Sequence, residues 1–111
     1  MDLFKYLFSP SQIDKGVQRC RLTADAALVD VRGADEFAEG HIPGAVNVPL
    51  ANIADIADAA DLADGFETPL FVYCRSGSRS REAAYRLEKL GYTDVTDIGG
   101  IQSYSGPVAY E

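Results

Sequence analysis

Residues 71–81 read FVYCRSGSRSR, a run of strand-forming residues that stops at a cysteine and turns into three arginines, three serines and a glycine within seven positions. The chain as a whole carries a formal charge of −7. The cationic cluster around Cys74 is therefore a local feature. PLFVYC (69–74) reads as a strand buried on both faces. Ala83, Ala84, Leu87 and Leu90 predict a helix over about 80–90, stopped by Gly91, with Glu82 and Arg86 one turn apart on its outer side. CRSGSR (74–79) must then turn sharply between strand and helix, and Gly77 supplies the backbone freedom that this needs. N–H groups of such a loop converge into an anion nest, backed by the positive end of the following helix. Arg75 and Arg79 add permanent charge. A thiol placed there is favoured as thiolate, so Cys74 is a candidate nucleophile that needs no histidine to activate it. The competing reading, a cysteine that merely fills space at a strand end, leaves the serines, glycine and arginines after it unexplained.

The flanking sequence supplies the rest of an α/β pattern. Ser9 and Gln12 have capping-box spacing, Pro10 suits a first helical position, and Phe8 with Ile13 suits a staple, predicting a helix over 9–20 weakened by Gly16. AALVDVR (26–32) and AVNVPL (45–50) read as strands, with a short helix and a glycine- and proline-punctuated loop between them. Asn52 reads as the cap of a helix carrying Ile53, Ile56, Ala57 and Ala60, and ADIADAADLADG (54–65) as its solvated face. DVTDI (94–98) reads as a strand and GGIQSYSGPVAYE as a glycine-rich tail. Strands alternating with helices predict a parallel sheet covered on both faces, with ligands beyond the C-terminal strand ends, where Cys74 lies.

Composition bounds the function classes. With 111 residues, 47% of them hydrophobic and 24% charged, the chain suits one domain over 1–111. The acidic balance argues against nucleic-acid and anionic-membrane partners. No apolar run is long enough to span a bilayer, and the N-terminal residues lack a signal-peptide pattern. Two cysteines, Cys20 and Cys74, are too few for a disulfide framework. Free thiols in a reducing, cytoplasmic setting are expected.

LVDVRGADEFAEGHIPGAVNVPL (28–50), VYCRSGSRS (72–80) and DIGGI (97–101) resemble, in this order, the motifs of single-domain rhodaneses, the thiosulfate sulfurtransferase family. The resemblance implies a three-layer α/β sandwich with a central parallel five-stranded sheet flanked by helices. It implies sulfur transfer in two half-reactions through a Cys74 persulfide, with Arg75, Ser76, Gly77, Ser78 and Arg79 as the substrate-binding loop. It also implies a small anionic sulfur donor such as thiosulfate, and cyanide or a thiol, protein thiols included, as acceptor. No metal or organic cofactor is implied. Cysteine-dependent phosphatases and arsenate reductases use a loop one residue longer; here four residues separate Cys74 from Arg79, and position 80 is serine. A non-catalytic rhodanese-like module is the other alternative, though such modules typically lose the cysteine or arginine pattern that this chain keeps.

Asp30 and Arg32 match the family's VDVR motif. They read as a backbone tether and an ion pair, Arg32 with Glu36, or as a second layer steadying the catalytic loop. His41, the single histidine, reads as part of a structural turn and not as a base. Cys20 reads as packing, with a relay thiol as the alternative. Tyr104 stands where rhodaneses more often carry tryptophan.

Overall fold

The computed structural model describes residues 10–60, 62 and 65–110. Its frame is a parallel sheet of four strands, β1 (Ala27–Asp30), β2 (Val46–Asn47), β3 (Leu70–Cys74) and β4 (Val95–Gly100), in the order β2-β1-β3-β4. The expected parallel α/β architecture is present, with four strands among the described residues in place of five. The chain passes from β1 to one side and returns to β3 on the other. The C-terminal ends of these two central strands therefore form a topological switch point.

Alternation along β3 sorts the core into two layers. Leu70, Val72 and Cys74 pack with Val29, Val48, Ile53, Ala83 and Leu87 on one face. Phe71 and Tyr73 pack with Ile13, Val17, Leu28 and Ile98 on the other. Helix α1 (Gln12–Arg21) covers this second face. The first face is covered by α4 (Ser78–Leu90), a 3-10 segment (Leu50–Asp55) and the one-turn α3 (Ile56–Ala59). A further short helix, α2 (Ala34–Glu39), follows β1.

Helix α1 starts later than its sequence suggested. Ser11 is the cap: its Oγ accepts from the Asp14 N–H at 3.2 Å, and Asp14 Oδ2 accepts from the Ser11 N–H at 3.3 Å. Serine followed three residues later by an acid satisfies two free N–H groups reciprocally, and this pair excludes Pro10 from the helix. The Phe8–Ile13 staple and the Ser9 cap fall on residues outside those described. Gly16 has a packing role, since a Cβ there would run into the Ile98 side chain of β4. Asn52 caps nothing; it lies inside the 3-10 segment, where Pro49 precedes the turn and the Asn52 N–H donates to the Pro49 carbonyl. The tail is also more ordered than its composition implied. Ser105 donates to Asp14 from its N–H at 2.9 Å and its hydroxyl at 2.7 Å, and Ala109 forms an antiparallel bridge with His41. Among the described residues no helix is long and apolar enough to cross a membrane.

Candidate active site

Cys74 ends β3 at the sheet's C-terminal edge and is 1% exposed. Arg75 and Ser76 lead from it to Gly77, whose φ of 107° lies in the left-handed region that glycine alone adopts freely. That dihedral turns the Gly77 N–H inward onto the Cys74 sulfur at 3.0 Å. Helix α4 begins at the next residue, so its free N–H groups add positive potential at the sulfur. Burial pushes the Cys74 thiol up from the ordinary 9.0. Hydrogen bonds with the Ser80 hydroxyl and from the N–H groups of Ser80, Gly77 and Ser76 outweigh it and bring the thiol down.

The loop rests on β4. Tyr73 and Cys74 pair with Gly99 and Gly100, and a Cβ on Gly100 would overlap the Arg75 carbonyl and the Ser76 Cα. The register shifts between Val72 and Tyr73, where the partners jump from Asp97 to Gly99 and leave Ile98 unpaired in a β-bulge. Gly99 takes a φ of 97° there. Gly99 and Gly100 of DIGGI therefore end a strand and seat the cysteine loop, a role hidden in sequence by their apparent membership of a glycine-rich tail.

The cations are arranged differently from their simplest reading. Arg79 makes a two-pronged ion pair with Glu36, Nη1 to Oε1 at 2.6 Å and Nη2 to Oε2 at 2.9 Å. Glu36 Oε1 also accepts from the Gly33 N–H at 3.0 Å. Glu36 is therefore the partner of Arg79 and not of Arg32. Arg32 turns to Asp30, with Nη2 to Oδ2 at 2.7 Å and Nε within 3.1 Å of both carboxylate oxygens. Its Nη2 also donates to the Gly40 carbonyl at 2.7 Å. The Arg32 N–H donates to Asp30 Oδ1 at 2.9 Å, so Asp30 is the backbone tether that its motif suggested. Arg75 is exposed and forms no ion pair among the described residues. Beside it opens a polar cleft of about 420 Å³ lined by Arg32, Glu36, Glu39, Gly40, Arg75, Ile101, Gln102 and Val108.

The remaining candidates fall away from the sulfur. His41 stacks on Phe37 with ring centroids 3.6 Å apart, and its Nδ1 lies 2.9 Å from the Phe37 carbonyl. It is a packed turn residue, as read. Cys20 is buried in the α1 layer, and both cysteines are free. Two residues at the sulfur escaped the sequence reading. Ser80 is fully buried, with its hydroxyl 3.6 Å from Cys74 Sγ and 2.7 Å from Asp97 Oδ1. Ser80 looked like the first residue of a helix and Asp97 like one more strand residue. The signal available was the helical register, which turns Ser80 to the same buried side as Ala83 and Leu87.

Fold and loop together define an α/β domain that presents a stabilised cysteine sulfur at the switch point of a parallel sheet. The chain belongs to the rhodanese-like domain family, which it matches over residues 9–106. It is 34% identical over 84 residues to the uncharacterized protein YqhL of Bacillus subtilis, covering 75% of this chain and 64% of that protein. It is 33% identical over 79 residues to the thiosulfate sulfurtransferase PspE of Escherichia coli, covering 71% and 74%. It is 35% identical over 109 residues to the adenylyltransferase and sulfurtransferase UBA4 of Candida albicans, covering 94% of this chain. It spans only 24% of that protein's length. A solved rhodanese with anions from E. coli superposes with a TM-score of 0.69 at 28% identity, over 78% of this chain and 99% of that one.

Proposed function

We propose that this protein is a rhodanese-type sulfurtransferase and that Cys74 is its nucleophile and sulfur carrier. The observation that carries the reading is the Gly77 N–H at 3.0 Å from a buried Cys74 sulfur whose thiol is drawn below its ordinary value. In the first half-reaction the thiolate attacks the outer sulfur of thiosulfate. A new S–S bond forms, the donor's own S–S bond breaks, and sulfite leaves with the electron pair. In the second, a cyanide ion or a thiolate attacks the terminal sulfur and Cys74 departs as thiolate, ready for another donor. Free enzyme and persulfide enzyme alternate, so the kinetics are ping-pong. Apart from donor and acceptor, the scheme calls only on groups of this chain, and no cofactor enters it.

The N–H groups of residues 75–79 cradle the transferred sulfur, with Ser76 and Ser78 supplying adaptable polar surface at its edge. Arg75, exposed on the polar cleft, meets the donor's anionic end, while Arg79 contributes field from its bond to Glu36. Asp30 and Arg32 steady the adjacent end of β1. Thiosulfate is the donor most directly suggested by relatives bearing the name thiosulfate sulfurtransferase. A protein thiol is a natural acceptor, and free buried cysteines fit a reducing cytoplasm.

Intact-protein mass after incubation with thiosulfate tests this directly. The expected result is a gain of one sulfur atom, removable by cyanide and absent from Cys74→Ser. No adduct from thiosulfate, polysulfide or glutathione persulfide, or a Cys74→Ser protein that still transfers sulfur, overturns the proposal. Efficient turnover of a phosphate ester would give the site to phosphate chemistry instead.

A further inference from the structure

Ser80 touches both the Cys74 sulfur and a carboxylate. Its hydroxyl has one proton and several claimants: Asp97 Oδ1 at 2.7 Å, the Gly77 carbonyl at 3.1 Å and the Gly99 carbonyl at 3.4 Å, besides the sulfur at 3.6 Å. Asp97 is the nearest of these and the charged one, and hydrogen bonds to an ionised acceptor are roughly twice as strong as neutral ones. With the proton on Asp97, Ser80 offers the sulfur only a lone pair, which suits Cys74 as a thiol donating its S–H. A thiolate reverses the preference, because it has nothing to donate and gains from a hydroxyl turned towards it.

Asp97 is fixed for this contact. Its Oδ1 also accepts from the Gly99 N–H at 3.0 Å, across the bulge that leaves Ile98 unpaired. Its main-chain carbonyl accepts from Gln12 Nε2 of α1 at 3.3 Å. The other charged groups around the sulfur are Arg75 in the loop, Arg79 of α4 with Glu36 of α2 upon it, and Asp30 with Arg32 at the end of β1. Glu36 and Asp30 each hold an arginine. Asp97 instead sends its charge through Ser80.

We propose, on the reading that Cys74 is the sulfur nucleophile, that Asp97 is a positioning residue acting through Ser80. It keeps the Ser80 hydroxyl turned from the sulfur while Cys74 is a thiol and releases it when Cys74 ionises. On ionisation the Cys74 proton leaves to solvent, the S–H···O bond breaks, and the hydroxyl swings from Asp97 to the sulfur. Competition from Asp97 keeps the thiolate less stabilised, and therefore more nucleophilic, than the loop alone would make it. A thiolate gains intrinsic reactivity as its pKa rises, with a Brønsted slope of about 0.4–0.5.

The test reads the rate of Cys74 alkylation by iodoacetamide against pH, with the modified residue located by peptide mass. It needs no sulfur transfer, so a failed sulfurtransferase reading and a failed Asp97 reading give different results. Asp97→Asn keeps shape and removes charge; its alkylation midpoint should fall by about one pH unit. Persulfide formation above both midpoints should slow by about threefold for a one-unit fall. Ser80→Ala should raise the midpoint, and in that background Asp97→Asn should lose most of its effect. A midpoint that stays put or rises in Asp97→Asn, or an equal fall with and without Ser80, overturns the proposal. Should Asp97→Asn not fold, the unaltered protein decides. The side-chain carboxyl carbon of Asp97, followed by NMR, should show an inflection at the Cys74 midpoint, and a flat trace there also overturns it.

Discussion

Arg79 and Glu36, 43 residues apart, are joined by two bonds of 2.6 and 2.9 Å, so the loop that holds the sulfur is latched to the short helix α2. The latch sets a direction in space for a side chain that would otherwise sweep the surface. It also offsets part of the positive charge that the loop presents. Both partners remain about one third exposed, at 36% and 33%. Pairs this exposed contribute little individually, and geometry counts for more than Coulomb energy here.

Glu36→Gln should therefore be mild at neutral pH and revealing in acid. The hydrogen bond from Arg79, opposed by burial, holds the Glu36 carboxyl down at about 2 from an ordinary 4.5. Its contribution is complete above pH 4.5 and disappears as the pH falls towards 2. The variant should lose about 0.5–1 kcal/mol in urea unfolding near neutral pH. That difference should vanish near pH 2. A difference that persisted undiminished in acid would mean that the carboxylate charge is not what latches the loop.

The two cysteines should separate cleanly by reactivity. Burial pushes Cys20 above the ordinary 9.0, with Arg21 pulling back less strongly, whereas the loop brings Cys74 below it. At neutral pH iodoacetamide should modify Cys74 first and leave Cys20 largely untouched until the protein is unfolded. Mass mapping after brief exposure checks this, and equal labelling would remove the basis for a special Cys74.

Asp30 and Arg32 should matter for folding before they matter for chemistry. Asp30 is fully buried and accepts from the Arg32 N–H, Nε and Nη2. Asp30→Asn leaves a largely buried guanidinium facing a neutral amide. Breaking a buried pair from one side costs about 3–5 kcal/mol. The unfolding midpoint in urea should fall accordingly, while persulfide formed per folded molecule stays the same. A folded variant with its stability intact but its sulfur chemistry lost would move this pair into the reaction itself.

What the sequence showed and what it hid follow from how local each signal is. Cys74, Gly77 and the start of α4 lie within a few residues of one another, so turn chemistry and helix register predict their meeting. Asp30 reaching Arg32 is equally local. The Arg79–Glu36 pair is not, and the sequence offered Arg32 as the obvious neighbour for Glu36. Only the fold, which brings the Glu36 side chain of α2 within reach of Arg79 on α4, assigns the partners. Asp97 and Ser80 likewise meet only because β4 pairs with β3 and bulges at Ile98. The boundary of α1 moved for a smaller reason, two serines flanking Pro10 and an acid spaced correctly from the second.

Gly16 and Gly100 sit on opposite ends of one packing chain, α1 against Ile98 and β4 against the cysteine loop, and should respond differently to alanine. At Gly16 the substitution gains about 1 kcal/mol of helix propensity. It also forces a methyl into Ile98, which is 1% exposed and has nowhere to retreat. Overpacking of this kind costs about 1–3 kcal/mol, so Gly16→Ala should be destabilised by up to about 2 kcal/mol, with Cys74 still acidic. At Gly100 the obstacle is the backbone of Arg75 and Ser76, which no rotamer change can clear. Gly100→Ala should displace the loop, carry the Cys74 thiol back towards 9.0 and suppress persulfide formation even in the folded protein. Urea unfolding and the pH profile of alkylation separate the two effects. A Gly100→Ala protein with an unaltered Cys74 profile would show that the seat on β4 does not shape the sulfur site.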